Sequence, residues 1–184
     1  WQFSKIHLEN ADQKINLNDI QSSLKSISFS PIEIPHDWLI YNTKDLYENS
    51  VGIYKKDFAL PEEKLQNCRF FLRFEGVYMD SSVFLNGTKI FEWKYGYTTF
   101  EVDITPFAKA GTNSLSVFAV YRSPNSRWYS GAGIYRNVWL VSVPQAHIVQ
   151  DGISWKAEKT AENTYKLDIQ KPPPSKEIPD IKPL

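Results

Sequence analysis

Apolar and polar residues alternate along much of the chain, a pattern typical of strands that bury one face. Residues 69–74 and 100–104 alternate in this way. Residues 114–121 and 137–143 are instead apolar on both faces, which is typical of strands that are covered on two sides. We therefore expect alternating strands in the first two segments and central strands of a β-sandwich in the other two.

A tight turn is predicted in the middle of the chain. Asn86 and Gly87 follow an apolar run, and both residue types tolerate the positive φ angles of a type I′ turn. This pair predicts a hairpin whose return strand covers residues 88–93. The small and polar residues 110–113 predict a second turn.

Turn signals recur at the spacing of a β-sandwich, and residues 18–27 are only a weak helix candidate. We predict an all-β fold class, with a sandwich domain over residues 1–144 that ends at Pro144. A new alternating pattern in residues 145–170 predicts the first strands of another β domain. Residues 171–184 hold five prolines in 14 residues, which predicts a Pro-rich tail or linker without its own core.

The charge and length of the chain limit its function. Lys and Arg total 21, Asp and Glu total 21, and the net charge is zero, so we expect no nucleic-acid partner. No apolar run approaches the roughly 18 residues that a membrane helix needs, so we expect no membrane partner. We expect 184 residues to hold one sizeable core and part of a second, but not a complete multidomain enzyme.

The composition offers little for metal or cofactor chemistry. Three histidines and one cysteine supply no metal-ligand spacing, and no glycine-rich loop is followed by a predicted helix. We predict neither a metal nor a cofactor. Aromatic residues make up 15% of the chain, which suits core packing first and stacking against sugar rings second.

Several segments carry a family resemblance, in fixed order along the chain. They are IPHDW at 34–38, GIYKKDFALPE at 52–62, RFEGVYMDSSVFLNGTKI at 73–90, GYTTFEVDIT at 96–105 and RWYSGAGIYRNVWL at 127–140. Together they resemble the N-terminal sugar-binding domain of glycoside hydrolase family 2, which includes β-galactosidases, β-glucuronidases and β-mannosidases. The resemblance covers roughly residues 30–155, and its first and last segments are most similar to the β-galactosidase branch.

The resemblance implies a fold and a larger protein. The family's domain is a jelly-roll, galactose-binding-like sandwich, followed by an immunoglobulin-like domain and a (β/α)8 barrel. Residues 145–170 would then begin the immunoglobulin-like domain. The parent protein would be a retaining glycosidase that acts on a carbohydrate, first of all a β-galactoside, with β-glucuronides and β-mannosides as alternatives. Its partners would be its own downstream domains and possible further copies of itself.

The resemblance also implies where chemistry takes place. A retaining glycosidase needs two carboxylates about 5 Å apart, and in the family both lie on the barrel. We therefore predict no catalytic residue in this chain. A polysaccharide-degrading context favours a periplasmic or secreted setting over a cytoplasmic one.

One loop is the best candidate for contact with substrate. Its residues supply hydrogen-bond donors and aromatic faces, and Gly131 and Gly133 allow tight backbone turns after it. The predicted substrate-binding residues are Asn125, Ser126, Arg127, Trp128, Tyr129 and Ser130. In the family this loop reaches toward the active site of the barrel. The alternative is that its aromatic residues only pack the loop.

Two other functions remain open for the sandwich. It can act as a carbohydrate-binding module with its own affinity, since jelly rolls often serve as lectins. It can also only brace neighbouring domains and mediate oligomer contacts. The adjacent His36 and Asp37 suggest acid–base chemistry, but we favour a structural role for them in a hydrogen-bonded turn beside a buried Trp38.

Overall fold

The structure is a computed structural model that describes residues 1–40, 44, 46–125, 131–149 and 151–170. The chain divides into a first compact unit, Trp1–Ser142, and a second unit that begins at Val143. Strands and short helices follow one another along these residues. The strands are β1 Gln2–His7, β2 Ser30–Pro31, β3 Ser50–Leu60, β4 Cys68–Phe74, β5 Ser81–Leu85, β6 Thr88–Trp93, β7 Phe100–Asp103, β8 Gly111–Tyr121, β9 Val138–Pro144, β10 Ser154–Ala161 and β11 Thr164–Gln170. The helices are α1 Leu17–Ser22, α2 Glu62–Leu65 and a 3₁₀ helix at Leu24–Ser26.

Two sheets form the first unit. The larger has six strands in the order β2-β1-β3-β8-β5-β6, and the smaller has three strands in the order β7-β4-β9. At the centre of the larger sheet, β3 and β8 pair antiparallel along their whole length, from Ser50 opposite Tyr121 to Leu60 opposite Gly111. This long pairing gives the sandwich a rigid central ribbon, from which the connecting loops emerge.

The apolar character of the central strands on both faces has a direct cause. On one face, Tyr54, Val117 and Ala119 join a buried cluster with Phe70 and Phe74 of the smaller sheet. On the other face, a second buried cluster covers the sheet, and the segment between β1 and β2 contributes to it. The buried members of this second cluster are Leu8, Leu24, Val51, Ile53, Phe84, Phe118 and Val120. The all-β sandwich predicted from the sequence is therefore confirmed, with the central strand at residues 114–121 correctly placed.

The predicted hairpin is present. Asn86 and Gly87 have φ angles of 51° and 89°, and they connect β5 to β6. The Asn86 side chain donates to Asn113 Oδ1 at 2.9 Å and so ties the turn to the start of β8. The weak helix candidate at residues 18–27 forms α1 and the 3₁₀ helix, and the Asn16 side chain caps α1 by accepting from Asn18 N.

The prediction of a central strand at residues 137–143 is wrong. Strand β9 lies at the edge of the smaller sheet, where it pairs with β4 alone. Its apolar side chains Trp139 and Leu140 are 51% and 44% exposed. Trp139 Nε1 donates to Glu75 Oε1 at 2.9 Å, which satisfies the polar end of an otherwise apolar surface residue. An apolar run cannot by itself distinguish a central strand from an edge strand whose outer face is apolar.

The second unit contains the hairpin of β10 and β11. One side of this hairpin carries Ile153, Trp155, Leu167 and Ile169, which are between 52% and 68% exposed. The assignment of residues 145–170 to an immunoglobulin-like domain stays a prediction, and residues 171–184 lie outside the described part of the chain. Over the described ranges, no helix has the length and apolar character needed to cross a membrane.

Candidate functional site

Several loops gather at one end of the sandwich. Ser50 of β3 lies opposite Tyr121 at the end of β8, and Ser81 of β5 lies opposite both Ala119 of β8 and Trp93 of β6. The connections next to these residues therefore emerge on the same side. We call this region the loop end. The described parts of residues 34–49, 75–80, 94–99 and 122–137 form it. This is where the sequence analysis placed its candidate residues.

Asp37 joins two of these loops. Its Oδ1 accepts from Leu39 N at 2.9 Å and from Ala132 N at 3.1 Å. The neighbouring backbone adds two further bonds, from His36 N to Ile134 O and from Trp38 N to Ala132 O. Trp38 is only 5% exposed. The predicted hydrogen-bonded turn beside a buried tryptophan is confirmed.

Two glycines that follow the candidate loop pack closely against the segment around Asp37. We call this contact between residues 36–39 and 131–134 the junction. Gly131 and Gly133 have φ angles of 71° and 129°, in the region that favours glycine. A Cβ atom on Gly131 would lie 2.5 Å from Asp37 Oδ2. A Cβ atom on Gly133 would lie 2.4 Å from both the His36 carbonyl oxygen and the Tyr54 hydroxyl. The prediction that these glycines serve tight backbone geometry is confirmed.

A buried carboxylate, which the sequence analysis did not single out, lies behind Trp38. The Glu48 side chain is 1% exposed, and both of its oxygens lie 2.8 Å from Lys5 Nζ. Glu48 Oε1 also accepts from Trp38 Nε1 at 3.0 Å and from Ser50 Oγ at 2.8 Å. A buried charge needs such partners because its desolvation is costly. Glu48 therefore holds the indole in place and is occupied by structural contacts.

His36 and Tyr54 form a second polar contact inside the loop end. The Tyr54 hydroxyl oxygen lies 2.8 Å from His36 Nδ1, within hydrogen-bond distance. Burial lowers the pKa of His36, although the nearby Asp37 raises it in part. Burial raises the pKa of Tyr54 far above its ordinary value. Both side chains are thus uncharged at neutral pH, which fits a supporting role under the loops.

The approach to the candidate loop is anchored at two points. Asn49 Oδ1 accepts from Ser123 N at 2.8 Å. Asn125 donates from Nδ2 to Arg122 O at 2.7 Å, and its Oδ1 accepts from the Tyr78 hydroxyl at 3.4 Å. Tyr78 itself forms a backbone bridge with Gly133, at 2.9 and 2.8 Å. Asn125 is exposed and is the one predicted substrate-binding residue that the structure describes.

The other predicted substrate-binding residues lie outside the described residues. They are Ser126, Arg127, Trp128, Tyr129 and Ser130. Their assignment stays a prediction. Within the described ranges, no group of three or more His, Cys, Asp and Glu side chains is arranged to hold a metal ion.

Sequence reasoning also missed the tyrosines of the loop end. Tyr95 and Tyr97 are 57% and 53% exposed, and Tyr78 and Tyr135 lie beneath the glycine between them. The available signal was a pair of aromatic residues on either side of Gly96, in a loop between two strands.

The chain belongs to glycosyl hydrolases family 2. Residues 26–144 match the sugar binding domain of this family, which is most of the first unit and contains the whole loop end.

Relatives and solved structures agree with this assignment. A β-galactosidase of Bacteroides ovatus is 35% identical over 155 residues, which cover 76% of this chain and 18% of that protein. A Formosa agariphila protein provisionally named a β-glucuronidase is 32% identical over 163 residues, which cover 83% of this chain and 19% of that protein. The structure of a family 2 member from Bacteroides cellulosilyticus superposes with a TM-score of 0.73 at 25% identity, over 91% of this chain and 24% of the other. The chain thus spans about a fifth of the length of these two curated relatives.

Proposed function

We propose that this chain is the non-catalytic sugar-binding domain of a retaining glycosidase that hydrolyses β-linked sugars, with β-galactosides as its main substrates. The match of residues 26–144 to a sugar binding domain carries this proposal. The Bacteroides ovatus relative, named a β-galactosidase, favours the galactoside. The Formosa agariphila relative makes a β-glucuronide the second candidate.

The catalytic carboxylates of this parent protein would lie outside the chain. A retaining mechanism needs one carboxyl group as acid and base and another as nucleophile, about 5 Å apart. Described carboxylates of the loop end are engaged in such contacts: Asp37 is held by backbone amides, and Glu48 by Lys5, Trp38 and Ser50. Glu75 accepts from Trp139 Nε1, and Asp80 pairs with Lys94. Groups engaged in this way are suited to hold loops rather than to transfer protons or attack a sugar.

The loop end would support the active site by presenting residues 125–130 to the terminal sugar. The anchoring of Asn125 by Tyr78 and Arg122 supports this role, because a binding loop needs fixed ends to hold its side chains in place. Arg127 would supply paired donors to sugar hydroxyls. Trp128 and Tyr129 would supply aromatic faces for the ring C–H groups. Bracing of neighbouring domains, without sugar contact, is the competing role.

The second unit would begin the next domain of the parent protein. The exposed apolar side of the β10–β11 hairpin supports this view, because a two-stranded hairpin cannot bury such residues by itself. Further strands of an immunoglobulin-like domain would cover it. The chain's partners would then be its own downstream domains.

The substrate assignment is tested with the full-length parent protein. Initial rates are measured side by side on 4-nitrophenyl β-galactoside, β-glucuronide and β-mannoside. We expect kcat/KM for the galactoside to exceed the other two values by at least about tenfold. A preference for the glucuronide would move the substrate to the second candidate. Absence of turnover on all three, with retained affinity for galactose, would instead support a carbohydrate-binding module.

A further inference from the structure

Two half-exposed tyrosines form a corner on the surface of the loop end. The ring centroids of Tyr95 and Tyr97 are 5.6 Å apart, and the ring planes meet at 68°. Both rings lie in the loop between β6 and β7 and are 57% and 53% exposed. Exposed aromatic rings that touch each other on a loop are typical of binding surfaces, since tyrosine offers a rigid apolar face with a polar tip.

Contacts with Tyr78 and Tyr135 hold this tyrosine corner in place. The Tyr97 ring packs edge-on against the buried Tyr78 ring, with centroids 5.2 Å apart. The Gly96 backbone packs against the Tyr78 ring so closely that a Cβ atom at this position would lie 2.3 Å from the ring. The Tyr135 hydroxyl donates to Gly96 O at 2.7 Å. These contacts fix the backbone between the two exposed rings, and a fixed surface loses less entropy when a ligand binds.

The corner is linked to Asn125, the first residue of the proposed sugar-contact loop. Tyr78, which supports Tyr97, also donates a hydrogen bond from its hydroxyl group to Asn125 Oδ1. Burial, followed by the hydrogen bond with Tyr78, raises the pKa of Tyr97 to about 12, so its hydroxyl stays protonated at neutral pH. One buried tyrosine therefore touches both the first residue of the proposed sugar-contact loop and the exposed aromatic corner.

We propose that Tyr95 and Tyr97 bind a second sugar ring of the substrate, beyond its terminal ring. This inference rests on the proposed function and adds a subsite to it. A pyranose ring has one face rich in C–H groups and an edge of hydroxyl groups. One tyrosine ring of the corner stacks on the C–H face of the sugar, and the other packs against the edge of the sugar ring.

A sugar fits the corner better than a protein surface does. The exposed apolar atoms belong to two tyrosines, whose hydroxyl groups keep the corner partly polar. Domain contacts are more apolar at their buried centres than the rest of a protein surface. The exposed side of the β10–β11 hairpin, with Ile153, Leu167 and Ile169, has that composition, whereas the tyrosine corner does not.

The test uses the full-length parent protein and substrates that differ in ring number. The one-ring probe is β-galactosyl fluoride, because a nitrophenyl group can itself stack on tyrosine; the two-ring probe is β-1,4-galactobiose. If the parent prefers glucuronides, the matching glucuronide pair is used. For Tyr95→Ala we expect the ratio of kcat/KM for the two-ring probe to that for the one-ring probe to fall about fivefold. Tyr95→Phe, which keeps the ring, should restore most of the ratio.

Phe107→Ala is the matched control. Phe107 is a 42% exposed aromatic residue beside the β5–β6 turn, at the opposite end of the sandwich, where its carbonyl accepts from Asn86. The Phe107→Ala change should leave the ratio of kcat/KM for the two probes unchanged. An unchanged ratio in Tyr95→Ala would overturn the second-sugar subsite, and a lowered thermal midpoint in the same variant would then assign the corner to a domain contact. The proposed function has a separate failure, namely the absence of glycoside turnover by the unmodified protein.

Discussion

The buried ion pair of Glu48 and Lys5 allows a quantitative test of how the loop end is held. The change Glu48→Gln keeps the shape of the side chain but removes its charge. The Lys5 ammonium group, which is 23% exposed at the side chain, then loses the carboxylate that lies 2.8 Å away. Trp38 Nε1 and Ser50 Oγ both donate to Glu48 Oε1 and can keep these bonds to the amide oxygen, whereas the amide NH2 group in place of Oε2 faces the Lys5 ammonium group, which it cannot pair.

The expected loss follows from these contacts. Removal of one partner of a fully buried pair costs about 3–5 kcal/mol. Because Lys5 is partly exposed and regains some hydration, we expect about 2–4 kcal/mol for Glu48→Gln. Urea unfolding followed by tryptophan fluorescence measures this change, since Trp38 lies in the affected network.

An exposed carboxylate on the same domain provides the control. Glu92 Oε2 lies 2.5 Å from Lys89 Nζ and Glu92 Oε1 lies 2.8 Å from Lys94 Nζ, and the three side chains are 36% to 74% exposed. Glu92→Gln should change the free energy of unfolding by less than about 1 kcal/mol, because water replaces the lost partner. Lys5→Met combined with Glu48→Gln should cost less than the sum of the single changes. If Glu48→Gln and Glu92→Gln have equal effects, the reasoning about the buried network is refuted.

Two further predictions concern the junction under the candidate loop. Burial lowers the pKa of His36, so the neutral ring favours folding; this stabilisation is complete above about pH 6.5 and is lost as the pH falls below that value toward the lowered pKa. The thermal midpoint measured between pH 8 and pH 5 should therefore fall less steeply in His36→Gln than in the unmodified protein, and equal slopes would count against this account. Gly133→Ala should cost about 2 kcal/mol or more in urea unfolding, since its Cβ would meet the Tyr54 hydroxyl at a φ of 129°. A loss below about 0.5 kcal/mol would show that the junction relaxes easily.

The strands were predictable because their signals are local. Alternation in residues 69–74 and the Asn86–Gly87 pair each act over a few positions, and each led to the correct element. The prediction of a central strand at residues 137–143 is wrong for a physical reason. The apolar Trp139 and Leu140 remain on the surface of an edge strand, and no local pattern reveals which side of a strand is covered.

The loop end was less predictable because its contacts join distant parts of the chain. Asp37 binds Ala132 across 95 positions, and Lys5 binds Glu48 across 43. The sequence located the segments of the junction through family resemblance, and it identified the need for Gly131 and Gly133. It did not indicate that Glu48 is buried, because an isolated acidic residue in a polar segment is usually exposed.

Sugar contact by residues 125–130 is the central claim, and Arg127→Ala in the full-length parent protein tests it most directly. Kinetics on 4-nitrophenyl β-galactoside are compared with those of the unmodified protein and of Phe107→Ala. Loss of a charge-assisted hydrogen bond to the sugar should lower kcat/KM by about 10- to 100-fold, with an unchanged thermal midpoint. A kcat/KM within about twofold of the unmodified value would contradict sugar contact and assign the domain to bracing.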